Sequence, residues 1–379
     1  MIDIARLRRE EFPITKRGVY LDHATFGPPP TRHVRAVNAF LERMSTEGLD
    51  DLFALSDEGV DGVRQKAALL LGCEPAHVTF VRSTSHGIGL VAEGLEWSPG
   101  DEVILYELDH PAGVFPWTNL AGRGVKTRFI ADRGRFGFEA ADVLELVGPR
   151  TRAVCVSLVN FGHGGRAPVE EIAAICRARD IWLVVDAVQA VGALQVDTTA
   201  LDADIVVAHG YKFLLSGFGI GVCYCSDRAL RELKVRQVGW KSVENPFDLE
   251  RMLAFELTFP ASAKRFEPSF QPLAQVFGLG ATLDLLNEAG PSIEARVMTL
   301  AQRLVSGLLE KGYQVAGSPD GRARSAIVSV ILRDDAERSR IERGLLRAEA
   351  RCSVRESRVR LSPHFYNTEE EIDRMLSCL

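Results

Sequence analysis

One lysine stands in a setting suited to covalent chemistry. Lys212 lies within Asp204-Ile-Val-Val-Ala-His-Gly-Tyr-Lys-Phe-Leu-Leu-Ser-Gly-Phe-Gly-Ile-Gly221. The β-branched run Ile205 to Val207 reads as a buried strand, and the turn His209-Gly210-Tyr211 delivers Lys212 among Phe213, Leu214 and Leu215. Desolvation there favours the neutral amine, which is the nucleophile toward an aldehyde that a Schiff-base lysine must be. A lone lysine in such a turn is more often a side chain snorkelling to the loop surface. The distinction rests on what the other strand ends carry.

In open α/β sheets, ligands collect beyond the carboxyl ends of the strands. After Leu183 to Val185 comes Asp186-Ala-Val-Gln189. A carboxylate at the end of a buried strand is costly without a partner, and a protonated ring nitrogen is a good one. Gln189, one turn on, can reach a neighbouring ring oxygen. After Val78 to Val81, the segment Arg82-Ser-Thr-Ser-His-Gly87 opens a helix. Its hydroxyls Ser83, Thr84 and Ser85, with free backbone N–H groups, make either a phosphate site or a plain N-cap. His110, after Glu102 to Leu105, can stack on a flat ring. Asn160, after Ala153 to Leu158, can donate to a phenolate oxygen, and His163 and Arg166 of the same glycine-rich loop can meet a substrate. Each signal alone has a structural alternative. In this order they jointly describe pyridoxal phosphate, with Asp186 keeping the ring nitrogen protonated so that the ring is an electron sink.

The elements that must position these residues are legible as periodicity. Residues 1 to 17 read as a short amphipathic helix and linker, and 31 to 72 as helical, closing at a C-cap Gly72. Short apolar strands then alternate with helices, at Val78 to Val81, Glu102 to Leu105, Lys126 to Ile130, Ala153 to Leu158, Ile181 to Val185, Ile205 to Ala208 and Gly221 to Cys225. That alternation predicts an α/β fold with a mostly parallel sheet covered on both faces. Beyond about 255 the pattern turns to longer helices (272 to 289, 292 to 311) and a few strands such as Ala326 to Leu332. A chain of 379 residues suits two domains, here a large cofactor-binding domain, 18–255, and a small α+β domain, 1–17 with 256–379. A net charge of −6 without basic runs argues against nucleic acid, and the longest apolar stretches are too short for a bilayer. The mixed-charge N-terminus carries no export signal. Seven cysteines without metal-ligand spacing suit a reducing cytoplasm.

The chain resembles the class V family of fold-type I pyridoxal-phosphate enzymes, which includes cysteine desulfurases, kynureninases and isopenicillin N epimerases. The resemblance runs from about residue 18 to the C-terminus. It is close at Val185-Asp-Ala-Val-Gln189, Gly210-Tyr-Lys-Phe-Leu-Leu215 and Val359-Arg-Leu-Ser-Pro-His-Phe-Tyr-Asn-Thr368. It implies a seven-stranded, mostly parallel sheet and a small amino acid as substrate. It also implies a homodimer, because family members build each site at a subunit interface. By the resemblance, Lys212 is the Schiff-base lysine, Asp186 pairs with the ring nitrogen and Gln189 meets the phenolic oxygen. Thr84, Ser85, His209 and Tyr211 hold the phosphate, His110 stacks on the ring, and Arg360 pairs with the substrate α-carboxylate. His23, Asn160, His163, Arg166 and Trp240 remain as pocket residues that would decide the reaction. Two departures stand out. Where the family reads Arg-Phe-Glu-x-Gly-Thr, with the threonine contacting phosphate across the dimer, this chain reads Arg265-Phe-Glu-Pro-Ser-Phe270, and Ser269 or Gln271 would have to stand in. The persulfide-cysteine loop of desulfurases is not recognisable, and the nearest cysteine before Arg360, Cys352, sits in a strand-like Ala350 to Arg355. The leading expectation is therefore an aminotransferase-like enzyme. The alternatives are a C–S (β) lyase without a persulfide cysteine and an amino-acid epimerase.

Overall fold

The structure, a computed structural model, describes residues 3–248, 250, 252–317, 325–355 and 357–379. Seven strands form the central sheet: β2 (Val78–Val81), β3 (Glu102–Tyr106), β4 (Lys126–Ile130), β5 (Thr151–Ser157), β6 (Trp182–Asp186), β7 (Ile205–His209) and β8 (Gly221–Cys225). Their order is β2-β8-β7-β6-β5-β3-β4, and β8 runs antiparallel to both of its neighbours while the other pairs are parallel. The central strands are buried along their whole length, as continuous apolar runs require when helices cover both faces. β2, β4 and β8 fall on their expected bounds. β6 and β7 each run one residue further, so Asp186 and His209 are the last residues of their strands. Asp186 pairs in register with Ser157 of β5 and Val207 of β7, which fixes its direction through the ladder.

A second, antiparallel sheet has the order β12-β13-β10-β9, built from β9 (Gln314–Val315), β10 (Val328–Ile331), β12 (Ser353–Arg355) and β13 (Arg358–Leu361). Near it, β1 (Val19–Tyr20) pairs in parallel with β11 (Ala350–Arg351), and an Asp22–Ser362 bridge continues beside β13. Val19 and Leu21 join Leu300, Leu304, Val328, Val359 and Ile372 in a core separate from those of the large sheet. The expected boundary at 255 does not coincide with this division. Helix Leu273–Ala289 packs on Thr31–Thr46 and Val60–Leu71, and Val276, Leu279, Leu283 and Leu286 lie in a core beneath the large sheet. That helix buries residues around most of its circumference, so it must be covered on several sides and is drawn into the large domain. Leu7 and Phe12 of the N-terminal segment join the same core. The small domain's packing begins at helix Ser292–Glu310.

Candidate active site

Three consecutive features of the sheet converge at its carboxyl edge. Asp186 is buried at the end of β6 and accepts Val188 N–H at Oδ1 (3.0 Å). Burial pushes its carboxyl up to about 6, against that hydrogen bond and the nearby Lys212 charge. Lys212 is 8% exposed, and its amine is pulled down to about 8, chiefly by desolvation, with Asp186 opposing and Arg360 and Arg355 adding to the effect. The turn that presents Lys212 is clamped from the chain's beginning. Gly27 N–H donates to Tyr211 O at 2.8 Å, and a Cβ on Gly27 would lie 1.9 Å from Lys212 O, so only glycine fits. Behind the turn, His364 shares a 2.9 Å hydrogen bond with Phe213 O.

Gln189 is buried. Its Nε2 donates to Ala24 O at 3.1 Å, while its Oε1 has no protein partner. His209 shares a hydrogen bond from Nε2 with Arg82 O (2.9 Å), joining the lysine strand to the segment before helix Thr84–Gly94, and burial drives its imidazole down to about 4. That helix is capped by Ser83, which accepts from His86 N–H. Thr84 is buried at its start, while exposed Ser85 lines an open cavity with His110 and Phe115. Tyr211 stacks on Phe218, with ring centroids 4.9 Å apart, and Phe218 stacks in turn on Phe26. His110 caps the helix Pro111–Thr118 through Nδ1 and meets Phe161 edge-on at 5.0 Å. Partial burial lowers its pKa, and the Lys212, Arg355 and Arg360 charges lower it further.

Arg360, on β13, is 3% exposed and crosses to the large domain. It donates to Phe161 O (2.7 Å) and to Thr25 Oγ1, and lies 3.7 Å from Asp22. Burial holds it down at about 10. Asn160 is held by two loops: Nδ2 donates to Leu108 O and Asp109 Oδ1 of the loop after β3, and Oδ1 accepts from Gly162 and His163 N–H of its own. Three expected substrate contacts are corrected. His23 is fully enclosed, with Nδ1 2.8 Å from Ser362 O and Nε2 2.6 Å from Tyr366 Oη, so it braces the packing behind the lysine turn. Arg166 turns to Glu294 (3.6 Å), which also caps Gln195 N–H, so it ties its loop to helix Ser292–Glu310. His163 is likewise buried, with Nδ1 accepting from Gly165 N–H.

Two residues of the site were not singled out from the sequence. Asp109 accepts from Ser157 N–H (3.0 Å) beside Asp186, and burial, helped by the Asp186 charge, raises it to about 7. Its place directly before His110, in a strand-end loop, was the available signal. Arg355 acts on both Lys212 and His110, and its alternation with Arg358 and Arg360 was the clue.

The chain belongs to the class V aminotransferase family, whose model matches residues 19–375. It is 28% identical to a probable cysteine desulfurase of Methanothermobacter thermautotrophicus, over 96% of this chain and 94% of that protein. It is 32% identical to one from Pseudomonas aeruginosa, over 80% of this chain and 78% of that protein. An apo cysteine desulfurase of Thermococcus onnurineus superposes with a TM-score of 0.87 at 22% identity, covering 100% of this chain and 97% of that one. The cystine C–S lyase C-DES, in complex with its product cysteine persulfide, superposes at 0.86 with 24% identity, covering 97% and 98%. These two establish the fold. The family's cofactor is pyridoxal phosphate, and the residues here fit it. Gln189 Oε1 is buried and unpartnered, Asp186 presents an acceptor at the sheet edge, and Lys212 is a desolvated amine whose charge interacts with Asp186. Asp186 would hold a proton on the ring nitrogen, Lys212 would carry the aldehyde, and the start of helix Thr84–Gly94 with His209 would face the phosphate.

Proposed function

We propose that this class V enzyme is a C–S lyase acting on an S-substituted L-cysteine and releasing sulfur on the departing small molecule. The observation that carries the reading is the state of Cys352, the cysteine nearest Arg360 in the chain. It sits between the short strands β11 and β12, and burial raises its thiol to about 12. A sulfur-accepting cysteine must be a thiolate near neutral pH, and desolvation keeps this partly exposed one a thiol. The relatives support C–S cleavage as the class of reaction, and the raised thiol pKa of Cys352 supports a small-molecule sulfur acceptor.

The bound cofactor supplies an electron sink for cleavage at Cα. Arg360 would bind the α-carboxylate with the donors its protein contacts leave unused, the unpartnered Nε among them, and Asp186 would keep the ring nitrogen protonated. Lys212, neutral above about pH 8, would take the Cα proton. The Cα–H pair becomes Cα=Cβ, the Cβ–S pair leaves with sulfur as a thiol, and water converts the resulting enamine to pyruvate and ammonia. Transamination uses the same lysine, aspartate and arginine, so the products decide. Cofactor-loaded protein given S-methyl-L-cysteine and L-cystine should release pyruvate and ammonia in equal amounts. Accumulation of the pyridoxamine form, reversed by a keto acid, would replace this reading with an aminotransferase.

We also propose a homodimer in the reducing cytoplasm. Trp240, Phe247, Phe270 and Phe53 cluster at the surface near exposed Met252, Phe255 and Leu257, an apolar face of the kind subunits cover. All seven cysteines are unpaired. Sedimentation of a fully active monomer would refute the dimer.

A further inference from the structure

The lysine turn is gripped at three consecutive carbonyls. Tyr211 O accepts Gly27 N–H at 2.8 Å, and Lys212 O accepts Leu215 N–H at 2.9 Å. Phe213 O lies 2.9 Å from His364 Nε2, which reaches it from the segment after β13. Leu215 closes the turn at a φ of 52°, a left-handed conformation that leucine keeps only where its surroundings impose it. The turn has no room to slide, since a Cβ on Gly192 would collide with Phe213 O as one on Gly27 would with Lys212 O.

His364 can act as this donor in one form only. A carbonyl only accepts, so the proton sits on Nε2, and Nδ1 accepts Phe365 N–H at 2.9 Å. The ring of His23, its centroid 5.2 Å away, is fixed in the opposite tautomer. Its Nδ1 donates to Ser362 O at 2.8 Å, and its Nε2 accepts from Tyr366 Oη at 2.6 Å. Both imidazoles are fully enclosed, and burial holds them neutral, His364 at about 4. Every nitrogen of the two rings has a partner, so turning either ring would strand a buried polar group. Ser362 is anchored in turn, its N–H donating to Leu21 O at 2.7 Å and its Oγ accepting Ala24 N–H at 2.9 Å. The run that carries Arg360 into the site thus carries, four residues on, the donor that holds the lysine turn.

We propose that His364 is a positioning residue for Lys212: by holding Phe213 O it keeps the neighbouring amine in its dry pocket and directed at the substrate once substrate has displaced it from the cofactor. The inference rests on the reading that Lys212 carries the cofactor, and it holds whether C–S cleavage or transamination follows. His364 touches no reacting atom, and its effect passes through the backbone of Phe213. Without it the buried carbonyl loses its donor, the turn relaxes toward water, and a hydrated amine favours the ammonium.

Three substitutions separate reach from packing. Glutamine can place an N–H where His364 Nε2 has one. Asparagine can accept Phe365 N–H but stops short of Phe213 O, and alanine does neither. The readout needs no turnover: the rate at which cofactor-free protein takes up pyridoxal phosphate, followed by absorbance against pH. The charges that act on the amine, from Asp186, Arg360 and Arg355, are the same in every variant, as are its neighbours His209 and Tyr211. The unmodified protein should show a midpoint near 8. His364→Asn and His364→Ala should raise it by about one unit or more, and His364→Gln should stay within about half a unit. At pH 7.5 uptake should fall about tenfold in His364→Asn and stay within about twofold in His364→Gln. Melting temperatures of these two variants within about 4 °C of each other would show that both fold alike. A midpoint near 8 in all variants would overturn the proposal. So would His364→Asn matching His364→Gln, which would make His364 a packing residue. A midpoint above 10 in the unmodified protein would overturn the reading of Lys212 itself.

Discussion

The floor of the site and the hairpin that closes over it are built on different principles. Asp186, His209 and Lys212 come from adjacent strands β6 and β7 and the turn that follows. They are held by a ladder buried on both faces, and desolvation is the first cause of every shift in their pKa values. Arg360 and Arg355 come from the second sheet, whose core is separate. Arg360 reaches the floor through polar contacts with Phe161, Thr25 and Asp22. A floor locked by apolar packing suits chemistry that tolerates little misplacement. A hairpin joined through hydrogen bonds and charge suits selection among substrates, since its side chains can change while the sheet stays as it is.

That contrast can be broken at either end. On the floor, Asp186→Asn should cost the largest factor, on the order of a hundredfold in kcat, because the amide cannot hold a proton on the ring nitrogen. The variant should still take up the cofactor, as followed by visible absorbance, and turnover equal to the unmodified protein would remove Asp186 from its role. On the hairpin, Arg360→Lys should raise KM about tenfold with a smaller change in kcat, since an ammonium cannot reproduce the two-pronged contact. An unchanged KM would place the α-carboxylate elsewhere.

A smaller, graded effect follows from Lys212. Its amine is pulled from 10.5 to about 8, so the neutral form predominates above pH 8. The rate at which cofactor-free protein takes up pyridoxal phosphate should therefore rise from pH 7 and level off near pH 9. A rate still climbing past pH 10 would mean an ordinary, solvated lysine. The smallest effect is expected at Cys352, where Cys352→Ser should leave pyruvate release within about twofold of the unmodified protein, the substitution lying outside the reacting atoms. Loss of sulfur release in that variant would restore a persulfide relay.

The parts readable in the sequence were those governed by local rules. The β-branched runs gave the strands of the large sheet because continuous apolar segments have few other options, and the Asp-x-x-Gln and lysine turns stand directly at their ends. Gln189 is legible from its spacing after the strand end, Arg360 only through motif resemblance, and the structure shows what surrounds each. The failures share a cause: a loop residue's direction is set by partners distant in sequence. His23 looks available until Ser362 and Tyr366, more than 300 residues away, enclose it. Arg166 looks free until Glu294 claims it. Helix Leu273–Ala289 joins the core of the large sheet, and its position in the chain says nothing of which core its apolar surface meets. Asp109 and Arg355 were passed over because their significance is pairwise, beside Asp186 in one case and beside Arg360 in the other.

The central claim is that Lys212 is the residue that carries the cofactor. It is tested most directly by loading the protein with pyridoxal phosphate, reducing with borohydride, and mapping the modified peptide by mass spectrometry. The account predicts stoichiometric label on the peptide containing Lys212 and none in Lys212→Ala. Label on another lysine, or undiminished labelling of the Lys212→Ala protein, would contradict it.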